Sequence, residues 1–91
     1  MTQGFPVSFS EKILKSPARG GWMYVVWPES VKFFGTRASI KVQGTMDGHP
    51  FKSSFMPLGD GTHKLPVKNA LAVVMAKSEG DTIKVEIVGR I

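Results

Sequence analysis

Cysteine is absent from the 91 residues, which excludes disulfides, thiolate nucleophiles and cysteine-bound metal and leaves the redox compartment open. Long apolar runs are absent as well. No stretch approaches the ~20 residues a membrane-spanning helix needs, and the N-terminus lacks a basic segment leading into an apolar one. A cytoplasmic location is the default expectation. Acidic residues are few: seven Asp and Glu stand against twelve Lys and Arg, for a formal net charge of +5 and a pI near 9.8. That balance favours anionic partners, but the basic residues are scattered singly and no basic run marks a nucleic-acid tail. The two histidines, His49 and His63, are far apart and lack His-x-x-x-His spacing, so neither a metal site nor a cofactor is expected.

What is present is ordinary for one soluble domain spanning 1–91, with 42% hydrophobic and 21% charged residues. A chain of this length buries roughly 60–65% of its unfolded surface, enough for one modest core.

The most unusual stretch is "GGWMYVVWPES" at 20–30. Side chains of a strand alternate between two faces, so Trp22, Tyr24 and Val26 would share one and Met23, Val25 and Trp27 the other. Both faces are apolar, whereas a strand wet on one side alternates with polar residues. Core packing accounts for part of this content; a ligand platform or a protein contact is the competing reading.

Around it, residues 7–14 alternate as a first strand, and "SPARGG" follows as a loop. Pro28 is suited to open a short helix over "PESVKFFG", closed by Gly35. "ASIKVQGTMDGHPFKSSFMP" comprises two alternating runs joined by Asp47–Gly48, the pair favoured by a two-residue type I′ turn. That turn sets Met46 opposite His49, Gly44 opposite Phe51, Val42 opposite Ser53 and Ile40 opposite Phe55. Ile40, Val42, Met46, Phe51 and Phe55 then share one face, with Phe51 over the bare Gly44. Ser39, Lys41, Gln43, Thr45, Lys52 and Ser54 share the other. A one-residue slip would scramble both faces, so turn and pattern agree. "LGDGTHK" reads as a glycine-rich turn, 67–77 as a helix ended by "SEGD" with Gly80 beyond it, and Ile83, Val85 and Ile87 as the last strand.

"VVWPESVKFFGTRASIKVQG" and "HKLPVKNALAVVMAKSEGDTIKVEIVG" follow one plan: short strand, proline, helical arm, glycine, then a strand reading Ile-Lys-Val. Aligned on Pro28 and Pro66, the second copy has about five more residues in its arm. Two such units would interlock about a pseudo-two-fold axis, each covering the other's apolar face. The expected fold is all-β, a small barrel of five or six strands with two short helices.

The runs "W-x-x-V-x-x-P-E", "GTRASIKVQGTMDGHPF", "PLGDGTHKLPVK" and "GDTIKVEI" resemble the domain-of-unknown-function family 1905 across nearly the whole chain. The resemblance implies a double-split β-barrel. The same barrel type is formed by swapped hairpins in dimeric DNA-binding regulators and antitoxins, whose "P-x-x-x-x…G-D-x-x-x-V" signature is echoed from Pro66 to Val85. No catalytic residue can be carried over from this family.

Candidate binding residues are Trp22, Tyr24 and Trp27 on the aromatic strand, Lys41 and Lys52 on the polar hairpin face, and His63 beside the glycine-rich turn. Lys41 and Lys52 sit diagonally and repel, which a bound phosphate or carboxylate would relieve. A solvated sheet face is the bland alternative. "GDGTH" lacks the Lys-Ser/Thr of a phosphate loop, and its glycines suit a tight turn. Three functions compete. A non-enzymatic binding module for a small anionic ligand or a protein partner leads, as a monomer or weak homodimer. DNA binding follows by analogy of fold, against the dispersed charge. Last is a small enzyme using His63 or His49 with Asp60 or a lysine as acid–base pair, for which no third group or pocket is apparent.

Overall fold

The computed structural model describes residues 4–17 and 21–91, so the tip of the "SPARGG" loop lies outside the described residues. In chain order the elements are β1 (Val7–Lys12), β2 (Leu14–Lys15), β3 (Met23–Trp27), α1 (Ser30–Phe34), β4 (Ile40–Met46), β5 (His49–Pro57), β6 (His63–Val67), α2 (Asn69–Met75) and β7 (Thr82–Arg90). The seven strands form one antiparallel sheet in the order β1-β7-β4-β5-β6-β3-β2. It curls almost shut, because β1 and β2 are successive pieces of one strand. They pair at opposite ends of the sheet, β1 with β7 and β2 with β3. The chain bends at fully buried Ile13, whose N–H donates to the Asp81 carbonyl and whose own carbonyl accepts from the Gly80 N–H, both at 2.8 Å. The single strand expected over 7–14 is therefore broken at the corner where it passes between the two halves of the barrel. At that seam Phe9 of β1 stacks on Trp27 of β3, ring centroids 4.6 Å apart and planes 8° from parallel.

The hairpin has the expected register: Met46 opposes His49, Gly44 opposes Phe51, Val42 opposes Ser53 and Ile40 opposes Phe55. Both turn residues, Asp47 (φ 49°) and Gly48 (φ 85°), take the positive φ that a type I′ turn demands. One detail differs. The space above Gly44 is taken by β7 backbone, not by Phe51: a Cβ there would lie 1.8 Å from the Glu86 carbonyl oxygen. A register shift between Gln43 and Gly44 marks the bend that drives the two strands together.

The two halves do interlock. β3 pairs with β6, and β4 with β7, so each strand of one unit lies antiparallel to its counterpart in the other. β5 bridges β4 and β6 as the β1–β2 strand bridges β7 and β3. The pairs Leu14–Tyr24 and Lys15–Met23 correspond to Met56–Lys64 and Pro57–His63. This register corrects the alignment on prolines. Tyr24 corresponds to Lys64, so Pro28 corresponds to Lys68 and Pro66 to Val26. Pro66 lies inside β6, beyond the last residue paired with β5, where a missing N–H is tolerated.

The helices are shorter than the sequence pattern implied. Pro28 precedes the N-cap Glu29 instead of occupying the first helical position, and α1 ends at Gly35 (φ 71°) as expected. Residue 67 completes β6, and α2 closes on Ala76 in the left-handed conformation, so Gly80 turns the following loop rather than capping the helix. The core is formed chiefly by Ile13, Val25, Trp27, Phe34, Ile40, Val42, Phe55, Leu65, Ile83 and Val85, all buried. Among the described residues, no helix is long and apolar enough to cross a membrane.

Candidate functional site

The doubled apolar character of β3 is resolved by its two faces. The inward face carries Val25, fully buried, and Trp27, 6% exposed. Trp27 lies against Phe9, Phe33, Phe34 and Phe55, with ring centroids between 4.6 and 5.9 Å. Burying an indole removes about 150–250 Å², equivalent to ~4–6 kcal/mol as an upper bound. Trp27 is thus a core residue.

The outward face is left to the surface. Cross-strand neighbours share a face in an antiparallel sheet, which groups Leu14, Tyr24 and Pro66 in one row and Val26, Lys64 and Met56 in the next. Trp22, just before β3, lies beside them, its ring centroid 5.6 Å from that of Tyr24 at an interplanar angle of 53°. Trp22 is 39% exposed and Leu14 41%. The Lys64 ammonium stands 4.5 Å from the Trp22 ring centroid and 5.8 Å from that of Tyr24. At an exposed site such a cation–π contact contributes about 0.5–1 kcal/mol, which tethers the ammonium without removing it from water. Two rings and a positive charge therefore converge on one open surface.

Lys41 and Lys52 lie outward on β4 and β5, Lys41 opposite Ser54 and Lys52 opposite Gln43. Both are exposed, and no ion pair engages them among the described residues. The outward positions of β4, β5, β6 and β3 contain Lys41, Lys52 and Lys64 and no acidic residue. Lys52 lines two shallow depressions beside Phe51, neither of which includes a tryptophan. Trp22 and Tyr24 are brought together, then, while Lys41 and Lys52 stand elsewhere on the sheet.

His63 is placed in the interior, fully buried with Ser30. Its Nε2 is 2.9 Å from the Ala38 carbonyl oxygen. A carbonyl only accepts, so Nε2 carries the hydrogen and Nδ1 is left to accept. The Ser30 hydroxyl donates to Nδ1 at 2.9 Å, and its oxygen accepts from the His63 backbone N–H at 3.0 Å. Phe34 and Phe55 meet the ring edge-on. All side-chain polar atoms of the pair are engaged by protein, and the arrangement pins α1 and the α1–β4 loop onto β6.

Asp60 lies in the exposed β5–β6 turn and accepts from the Thr62 hydroxyl at 2.5 Å and the Thr62 N–H at 3.0 Å. These bonds, the hydroxyl first, hold its carboxyl below the usual value of 3.8. Asp60 and His63 are three residues apart, yet one faces water and the other the core. His49 stands at the far end of β5, opposite Met46. The structure assembles no acid–base pair from these residues. Among the described residues, no cluster of three His, Asp or Glu side chains is arranged to hold a metal.

The residue that sequence reasoning missed is Lys64. Its place beside Trp22 follows from the β3–β6 register, about forty positions apart in the chain, and no local pattern announces that pairing. Ser30 was also missed; its position two residues after a proline is the only local signal.

A family model described as "Domain of unknown function (DUF1905)" matches residues 9–87. No curated protein matches the chain.

Proposed function

The chain belongs to the DUF1905 family, and we propose that it acts as a non-enzymatic binding module, holding a small anionic ligand with a planar ring on the Trp22–Tyr24 surface. One observation carries this reading. Trp22 and Tyr24 are exposed in part, 5.6 Å apart, with the Lys64 ammonium 4.5 Å from the indole. The rings offer stacking area and the lysine supplies charge without demanding one anion geometry. Stacking contributes about 1–3 kcal/mol per ring. Two rings at the middle of that range together with one screened charge reach about 4–5.5 kcal/mol, a Kd on the order of 0.1–1 mM.

The test is tryptophan fluorescence during titration with a nucleoside monophosphate and with benzoate. Trp22 emits as a solvated indole and is quenched on binding, while Trp27 emits as a buried one and is unaffected. Trp22→Ala and Lys64→Ala should each weaken binding at least several-fold. Absence of quenching at 10 mM probe (roughly ten times the weaker Kd), or an affinity unchanged from the parent in either variant, refutes the reading.

A nucleic-acid strand is the second reading, supported by the three outward lysines and the absence of acids on the outward face of β4, β5, β6 and β3. Gel shifts at two salt concentrations decide it, because phosphate contacts make affinity fall steeply with salt. No shift at low salt removes it.

A further inference from the structure

Helix α2 breaks the rule that a surface helix is polar on its outer side. Its sequence, NALAVVM, buries Ala72 and Met75 and half-buries Leu71. The outer positions are then Asn69, Ala70, Val73 and Val74, with Val73 78% and Val74 62% exposed. A helix whose outer face carries adjacent exposed valines is ordinarily covered there. The two valines also lower helix propensity through their restricted χ1, so they are poor choices for a helix whose outer face meets only water.

This face is continuous with a trough. One depression of about 420 Å³ lies between α2 and β5, floored by Phe51, Leu71 and Val74 and flanked by Lys52 and Lys68. A second, of about 430 Å³, shares Pro50, Phe51 and Lys52 with the first and continues to Gln43 and Val88 on the other side. Val88 is itself 49% exposed. No acidic residue lines either depression. The result is an elongated apolar track from Val88 to Val74 with lysines beside it and no counter-charge.

We propose that this trough docks an acidic amphipathic segment of a protein partner, its apolar side chains on Phe51, Leu71 and Val74 and its carboxylates facing Lys52 and Lys68. Two depressions adjoining at Pro50, Phe51 and Lys52 suit a chain segment better than a compact ligand. Its charge disfavours a second copy of this chain, since a two-fold interface here brings like-charged lysine rims together. The concave floor is ill-matched to a flat lipid surface. The trough shares no lining residue with the Trp22–Tyr24–Lys64 surface, so the inference is independent of the ligand site proposed above.

The test uses the full chain and a fluorescein-labelled twelve-residue peptide with leucines at helical spacing and glutamates between them, alongside a copy with lysines replacing the glutamates. Fluorescence anisotropy should show the acidic peptide binding at least tenfold tighter than the basic one, with amide shifts centred on Phe51, Leu71, Val73 and Val74. Lys52→Glu with Lys68→Glu should invert that preference. Val73→Ser with Val74→Ser should abolish binding; both side chains are exposed, and an unchanged circular dichroism spectrum checks that the fold is kept. Trp22→Ala should leave peptide affinity unchanged, which separates this site from the ligand surface. Equal binding of both peptides, no binding at millimolar peptide, shifts centred on Trp22, concentration-dependent dimerisation through α2, or anionic-vesicle binding lost in the Val73/Val74 variant would each overturn the proposal.

Discussion

Replacing Ser30 by alanine isolates one small piece of the barrel whose energetics can be worked out from geometry. The hydroxyl is fully buried and satisfies two groups of fully buried His63, Nδ1 at 2.9 Å and the backbone N–H at 3.0 Å. Alanine leaves both without a partner in a site that water does not reach. Each orphaned buried polar group costs about 1–3 kcal/mol, and the substitution removes little apolar contact. The expected loss is about 2–6 kcal/mol, a large share of the ~5–14 kcal/mol that a 91-residue domain typically has. Per kcal/mol a domain of this size loses about 4–8 °C in Tm, so calorimetry should record a fall of at least about 8 °C.

Urea denaturation followed by tryptophan emission gives the same quantity independently, since Trp27 is buried in the core. Ser39→Ala is the control: Ser39 is exposed, and its change should stay within about 0.5 kcal/mol. A double-mutant cycle with His63→Leu should return a coupling of at least about 1 kcal/mol, because the Nδ1 share of the Ser30 loss disappears with the ring while the backbone N–H at position 63 still needs the hydroxyl. Long-range nitrogen–proton NMR should find the hydrogen of the imidazole on Nε2. A Ser30→Ala protein as stable as the parent, or a ring with its hydrogen on Nδ1, would refute the account of the buried pair and reopen His63 as an available base.

Gly44→Ala should be the most damaging single methyl addition in the sheet, since the new Cβ falls 1.8 Å from the Glu86 carbonyl oxygen and 3.0 Å from the Ile87 Cα. These are backbone atoms that cannot turn aside. We expect a loss above the ~1–3 kcal/mol typical of overpacking, read as a lowered urea midpoint or insoluble protein. Gly89→Ala, which meets nothing within 4 Å, should change stability by under about 1 kcal/mol; equal effects at the two glycines would contradict the bend at β4. At Asp60 the carboxyl is held below 3.8 by the Thr62 hydroxyl and N–H. The sign follows directly: its contribution to the turn is present above the unfolded value and is lost as pH falls through the lower folded one. Carbon-detected NMR should find the Asp60 midpoint below 3.8, and Thr62→Val should move it upward; no movement would disprove the assigned cause.

The parts of this molecule legible in the sequence are those decided by neighbours in the chain. Asp47 and Gly48 demand positive φ, that turn sets a register, and the register sorts fourteen residues onto two faces. The Ile-Lys-Val strands and the helical arms before them likewise announce two similar halves. What was illegible depends on contacts between those halves. Val67 has the spacing of a helix but is drawn into β6 because Met23 is there to pair with it. The prolines align in the sequence, but the β3–β6 register assigns them different neighbours. His63 resembles an available polar group because its turn is polar, and only the arrival of Ser30 and Ala38 from the α1 region makes it a buried strut. The aromatic strand shows the limit most directly. Alternation assigns Trp22 and Trp27 to opposite faces, but with both faces apolar no pattern tells which one the barrel takes. Phe9 settles it by stacking on Trp27, leaving Trp22 and Tyr24 outside, where Lys64, the charged group set over their rings among the described residues, comes from the other half of the repeat. Lys64 stands in β6 where Tyr24 stands in β3. The pseudo-symmetry that closes the barrel thus places a lysine and an aromatic at equivalent positions and brings them together across a central strand pair. A duplicated scaffold can in this way acquire an asymmetric surface from two symmetric positions.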